Sequence, residues 1–265
     1  MTALSDALAK AHADNRAALI GYLPVGYPSV DVSIQAMRAL VEGGVDVVEV
    51  GIPYSDPVMD GPTIQRATEH AVRLGVGMRD AFEAVAAVAE AGAAAVTMGY
   101  WNQVERYGVD RFAIDLRAAG GSGAITPDLI PEEGAQWIEA SDAHGLDRIF
   151  LVAPSSTDKR IASTAAASRG FLYATAVMGV TGARDAVGTT ASTLVGRVRA
   201  LAPGIPVCVG LGVSTGDQAA EVAGFADGVI VGSALVRCLL DSPDAIGVAA
   251  VRSLSEELAA GVRRR

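Results

Sequence analysis

Between Val47 and Gln65 the chain reads Val-Val-Glu-Val-Gly-Ile-Pro-Tyr-Ser-Asp-Pro-Val-Met-Asp-Gly-Pro-Thr-Ile-Gln, and its carboxylates are the residues best placed to do chemistry. Glu49 interrupts an apolar run, Val45 to Ile52, that otherwise reads as a buried strand. A carboxylate there must be paired, neutralised or used. Alternation puts Val47, Glu49 and Gly51 on one face. If that face lines a pocket, desolvation raises the carboxyl pKa and suits Glu49 to giving and taking a proton near neutral pH. A structural carboxylate that caps a loop or pairs with an arginine is the competing reading, and the residue types alone weigh the two evenly. Asp60 closes the loop before Gly61-Pro62, where a helix is expected to begin at Pro62 or Thr63. Aspartate in that position is ordinarily an N-cap. Asp56 invites the same reading, so loop chemistry leaves open which of the two reacts.

A second group of residues suits an anion. Gly179-Val180-Thr181-Gly182, Gly210-Leu211-Gly212-Val213-Ser214 and Val231-Gly232-Ser233-Ala234 each follow a candidate strand. Glycines let backbone N–H groups approach phosphate oxygens, and Gly232-Ser233 opens a short helix whose N-terminal dipole favours negative charge. Tyr22, Tyr100 and Tyr173 stand at or near strand ends and could border a flat ring, although single tyrosines there more often pack a core or rim. The segment Met178–Thr190 is long for a strand-to-helix connection and is expected to act as a lid over the phosphate.

The elements that must carry these residues are legible as alternation. Short β-like runs, Ala18–Leu23, Val45–Gly51, Ala94–Gly99, Gly123–Pro127, Arg148–Val152, Phe171–Ala176, Pro206–Gly210 and Gly228–Val231, are separated by stretches of helical periodicity. These helices are expected over Val30–Glu42, Met78–Ala91, Val109–Ala119, Pro131–Ala143, Ser192–Ala202, Thr215–Ala223 and Asp244–Ala260. Eight strands in about 250 residues predict an α/β fold, a (β/α)8 TIM barrel, with an extra N-terminal helix at Leu4–Ala13. An open doubly wound sheet would also alternate, but no Gly-x-Gly-x-x-Gly follows the first strand. The glycine-rich loops follow late strands instead, where barrels bind phosphate. No linker or charge block divides the chain, so residues 1–265 are expected to form a single TIM-barrel domain.

Composition excludes several functions. Of the 265 residues 51% are hydrophobic and 19% charged, enough for one large core. A net charge of −9 opposes nucleic-acid binding. It also means that a phosphate must be held by a local nest of N–H groups rather than by a basic field. No apolar run spans a bilayer and the start lacks a signal peptide's pattern, so a cytoplasmic protein without a membrane partner is expected. Cys208 and Cys238 lack redox or metal spacing and are read as packing residues; no metal site is expected. His12, His70 and His144 lie in polar-flanked helical stretches and are read as surface groups.

Glu49 with Tyr54-Ser55-Asp56-Pro57-Val58-Met59-Asp60-Gly61-Pro62-Thr63-Ile64-Gln65 closely resembles the signature of tryptophan synthase alpha subunits. The likeness continues in order through Met98–Asn102, Gly179–Gly182, Gly210–Ser214 and Val231–Ala234, and so covers most of the chain. It implies reversible retro-aldol cleavage of indole-3-glycerol phosphate to indole and glyceraldehyde 3-phosphate, late in tryptophan biosynthesis, with no cofactor in this subunit. By position in the motif, Glu49 is the general acid and base, and Asp60 the partner of the indole N–H. The resemblance assigns phosphate to backbone groups around Gly182, Gly212, Gly232 and Ser233. It makes Thr181 a lid residue meeting the Asp60 loop, and sets Tyr22, Tyr100, Tyr173 and Leu211 around the indole. It further implies a pyridoxal-phosphate-dependent beta subunit in an α2β2 assembly, docking on the Asp56 loop and Asn102–Tyr107.

Three stretches depart from the family pattern: Trp101-Asn102-Gln103 replaces the commoner Tyr-Asn-Pro, Thr126-Pro127-Asp128 replaces Val-Pro-Asp, and Ala176-Val177-Met178 is less polar than usual. None touches the proton-transfer pair, while the first falls in the docking segment and the third borders the lid. A stand-alone lyase that releases free indole is the alternative. Another phosphosugar barrel enzyme would lack the Pro-Tyr-Ser-Asp-Pro loop, and a non-catalytic binder of the beta subunit would need neither Glu49 nor Asp60.

Overall fold

In a parallel sheet covered by helices both faces of each strand are buried, so the strands read as short, continuous apolar runs. The computed structural model describes residues 1–175, 184–242 and 244–264, with the side chains of 184–187 left aside. Its strands are β1 (Ala18–Pro24), β2 (Val47–Gly51), β3 (Ala94–Met98), β4 (Gly123–Ile125), β5 (Asp147–Ile149), β6 (Leu151–Val152), β7 (Leu172–Thr175), β8 (Val207–Gly210) and β9 (Gly228–Val231). All pair in parallel, in the order β5-β4-β3-β2-β1-β9-β8-β7-β6. The two ends of that order, β5 and β6, are halves of one expected strand interrupted at Phe150. The first half pairs with β4 and the second with β7, which leaves a nearly closed barrel.

Twelve helices surround the strands among the described residues: α1 (Ala3–Ala13), α2 (Val30–Glu42), α3 (Pro62–Arg73), α4 (Met78–Glu90), α5 (Trp101–Tyr107), α6 (Val109–Ala118), α7 (Ala135–His144), α8 (Asp158–Ala167), α9 (Arg184–Leu201), α10 (Gly216–Ala223), α11 (Ser233–Asp241) and α12 (Ala245–Val262). Helix α2 has its expected bounds because Ser29 caps it, accepting from the Val32 N–H. Helix α7 begins four residues later than expected. Pro131 sits instead in a separate turn, closed by Glu133 N–H to Ile130 O and Gly134 N–H to Pro131 O. Helix α9 begins eight residues before the expected Ser192, so Arg184–Thr190, assigned above to the lid, is helical. None of the helices is long and apolar enough to cross a membrane, among the described residues.

Two apolar layers result. Outward-facing strand residues such as Val48, Val50 and Ala95 pack under the helices. Inward-facing residues, including Ile20, Val47, Val96, Ile125, Ile149, Phe171, Cys208 and Ile230, fill the barrel together with Leu4, Leu8 and Ala11 of α1. Helix α1 therefore plugs the N-terminal end of the barrel, and the C-terminal end is left for chemistry.

Candidate active site

Strand register places the acid–base candidate. Tyr22 pairs with Glu49 across β1 and β2, and Glu49 pairs with Val96 across β2 and β3, so Glu49 shares the inward face with Tyr22 and Val96. Only 1% of Glu49 is exposed. Neither of its carboxylate oxygens makes a hydrogen bond among the described residues. Among the described residues it thus has neither the loop bond nor the arginine partner of a structural carboxylate. Burial alone pushes its pKa up to about 8, so at neutral pH the carboxyl holds its proton.

Asp60 is not the N-cap of α3. Gly61 takes that place and has no side chain to cap with, and Pro62 follows in the first turn, where a missing N–H costs nothing. The Asp60 side chain is half-buried beside the Tyr100 hydroxyl. Burial, only partly opposed by that neighbour, raises its pKa to about 6. The two carboxyls thus hold different charge at pH 7, Glu49 mostly neutral and Asp60 mostly anionic. Asp56 is exposed and takes a hydrogen bond from Ser55 Oγ at 2.6 Å, which removes it from the pair.

The Asp60 loop is fixed from the next strand. Tyr100, the residue before α5, accepts the Met59 N–H at 2.8 Å, and its ring stacks on Tyr54 at 5.0 Å. Gln103 Nε2 donates to Pro53 O at 2.7 Å and Asn102 Nδ2 to the Tyr54 hydroxyl at 3.1 Å. Helix α5 and this clamp were absent from the sequence reading, which took Asn102–Tyr107 as a docking segment. The signal for α5 was present in Gln103, three residues after Tyr100, where it reaches back to the Tyr100 N–H.

Two inward tyrosines rest on glycines. A methyl on Gly51 would come within 2.5 Å of Tyr22 Oη, and one on Gly210 within 2.7 Å of Tyr173 Oη. Only glycine lets each ring lie across the neighbouring strand end. Tyr22 and Leu211 are buried and Tyr173 half-buried, so together with Tyr100 they give the mouth apolar walls.

On the far side, Gly232 is the N-cap residue of α11 and has no side-chain cap bond, and Ser233 opens the helix. Gly212 has φ 71°, a conformation that favours glycine. The Ser214 N–H is already taken by Gln218 Oε1 at 2.8 Å. Thr181, Gly182 and the rest of the third loop lie outside the described residues.

The sequence profile of the family described as "Tryptophan synthase alpha chain" matches residues 8–262. The tryptophan synthase alpha chain of Mycobacterium marinum is 66% identical over 253 residues, 96% of this chain and 92% of its own length. That of Thermobifida fusca is 60% identical over 266 residues, covering 99% and 98%. A solved tryptophan synthase from M. tuberculosis, in an aminoacrylate-bound form, superposes with a TM-score of 0.91 at 57% identity, covering 99% of this chain and all of that one.

Proposed function

This chain belongs to the tryptophan synthase alpha chain family, lyases that cleave indole-3-glycerol phosphate to indole and glyceraldehyde 3-phosphate, and on that premise we propose that Glu49 and Asp60 divide the chemistry between them. The observation that carries this reading is Glu49: buried, without a hydrogen-bond partner among the described residues and with a raised pKa, it shows no structural return for its cost.

Neutral Glu49 gives its proton to indole C3, turning the ring into an electron sink with positive charge near its nitrogen. Asp60, anionic, accepts the indole N–H and stabilises that charge more than it stabilises the neutral ground state. Glu49, now a carboxylate, takes the proton of the hydroxyl on the adjoining carbon. The C–C bond breaks, its electrons restore the indole, and the oxygen leaves as the aldehyde. One proton is given and one is taken, so Glu49 ends as it began.

The substrate phosphate is assigned to backbone groups at Gly212, Gly232 and Ser233, with Gly182 and Thr181 contributing from the loop before α9. Tyr22, Tyr100, Tyr173 and Leu211 border the indole. Residues 1–265 act as one barrel unit that needs no cofactor of its own, and pyridoxal phosphate belongs to a beta subunit that consumes the indole in an α2β2 assembly. Support for that partner comes from Val58, 81% exposed, and Met59, which present apolar surface on the very loop that carries Asp60. The test is to incubate the purified chain with indole-3-glycerol phosphate, with and without a beta subunit, and to measure indole. Release that the partner accelerates is expected. No indole under either condition would reject the reading, and equally fast release without the partner would favour a stand-alone lyase.

A further inference from the structure

The reaction as described leaves the hydroxyl of Tyr22, at the mouth, without a task. Tyr100 Oη is engaged by the Met59 N–H and lies beside Asp60. Tyr22 Oη makes no hydrogen bond among the described residues, although 94% of the residue is buried, 6% remaining exposed. Tyr22 is the register neighbour of Glu49, and its oxygen lies over Gly51, one inward position further towards the mouth. The other end of its ring is next to Gly232, where a methyl would meet Tyr22 Cδ1 at 3.4 Å. The ring therefore spans from the start of α11, where phosphate is assigned, to the strand end that carries Glu49. A substrate with its phosphate at Gly232 and its indole at Asp60 must lay its three-carbon chain along the same path.

We infer that Tyr22 Oη donates a hydrogen bond to the oxygen of the substrate hydroxyl next to the indole ring, and so turns that hydroxyl's proton towards Glu49. The inference rests on the function proposed above and deepens it. Burial, with the charges of Asp60 and then Glu49, holds the phenol proton on well above the usual range, so Tyr22 is a donor throughout the working pH. Asp60 has Tyr100 beside it and must accept the indole N–H, which leaves the chain hydroxyl as the acceptor without a donor. The effect is on specificity as well as rate: a substrate whose first side-chain carbon lacks oxygen gains nothing from Tyr22.

The test is Tyr22→Phe, assayed with the beta subunit present. Two quantities are read: kcat/KM for indole-3-glycerol phosphate, and the Kd of 3-(indol-3-yl)propyl phosphate, which keeps ring, chain length and phosphate but has no hydroxyl. A fall in kcat/KM of about tenfold is expected, the worth of one hydrogen bond to a buried acceptor, with the analogue's Kd unchanged. An unchanged kcat/KM overturns the inference. So does an equal loss of affinity for the analogue, which would make Tyr22 only a packing surface. If the wild-type chain releases no indole, the reading of the reaction falls and takes this assignment with it. If wild type turns over and Tyr22→Phe matches it, only the Tyr22 assignment falls.

Discussion

The two ends of this barrel treat buried charge in opposite ways. At the N-terminal floor each ionised group has partners. Arg16 forks onto both oxygens of Asp46 at 2.6 and 2.7 Å, and Asp46 also accepts the Leu19 N–H. Arg148 donates to Ala167 O, Ser141 Oγ and Asp142, while Asp147 takes the Thr2 hydroxyl. At the mouth, Glu49 is buried as deeply and has no such bond among the described residues. Charge that is paired in a protein contributes to shape, and charge that is left unpaired costs stability and is free for chemistry. Position in the barrel thus separates carboxylates that composition cannot.

Replacing the unpaired group should give the largest effect, a loss of activity. Glu49→Gln keeps the shape and removes the proton, and cleavage should fall by about 10³-fold or more, the range of a general acid–base. Binding of a phosphate-bearing indole analogue should persist. A variant that keeps most of its kcat would erase the distinction between the two ends.

The cost of Glu49 should be visible as a pH dependence of stability. Its folded pKa, about 8, lies above its ordinary value of 4.5, so between those limits the folded chain holds a proton that the unfolded chain has released. Stability should then fall as pH rises through that window, by about 4–5 kcal/mol if Glu49 acted alone. Denaturant unfolding of wild type and Glu49→Gln at pH 5 and pH 9 measures this. The variant should be more stable than wild type at pH 9, with the gap narrowing at pH 5; a gap independent of pH would mean that Glu49 is partnered after all. In activity, Asp60 must be ionised and Glu49 protonated, so kcat/KM should rise through about pH 6 and fall through about pH 8.

At the floor the same operation should have the opposite result. Asp46→Ala leaves the guanidinium of Arg16, 9% exposed, without its fork, and unfolding free energy should drop by about 3 kcal/mol while kcat of the folded chain is unchanged. A loss of kcat without a loss of stability would mean that the floor reaches the chemistry.

Much of this architecture could be read from the chain, for a physical reason. Strands buried on both faces are continuous apolar runs, and β9 has its expected bounds while β1 and β2 differ only at one end. What could not be read depends on contacts distant in sequence. The break in the fifth strand at Phe150 arises because its halves pair with different neighbours. Helix α8 was missed because its inward face is Ile161, Thr164 and Ala165, too little hydropathy contrast to show a period. Glu49 is legible as an oddity in a strand, but its lack of hydrogen-bond partners among the described residues is a property of the folded barrel. Asp60 looks like an N-cap because the helix follows it at once; Tyr100, forty residues on, holds its loop through the Met59 N–H. Tyr22 was legible as a ring and illegible as a donor, since only the register with Glu49 and the open space over Gly51 give its hydroxyl a direction.

The smallest expected effect tests how independent the two ends are. Thr2 caps α1 by accepting the Ser5 N–H, and its hydroxyl donates to Asp147 at 2.5 Å, tying the plug helix to β5. Thr2→Ala removes both bonds and should cost about 1 kcal/mol, or a few degrees in Tm. Leu4 and Leu8 of that helix pack against the same interior cluster that continues upward to Val96, the register neighbour of Glu49. If the floor only supports, kcat and both limbs of the pH profile stay in place when the cap is lost. If the alkaline limb moves instead, the apolar column between α1 and Glu49 is setting the carboxyl's burial, and the plug helix would have to be counted as part of the active site.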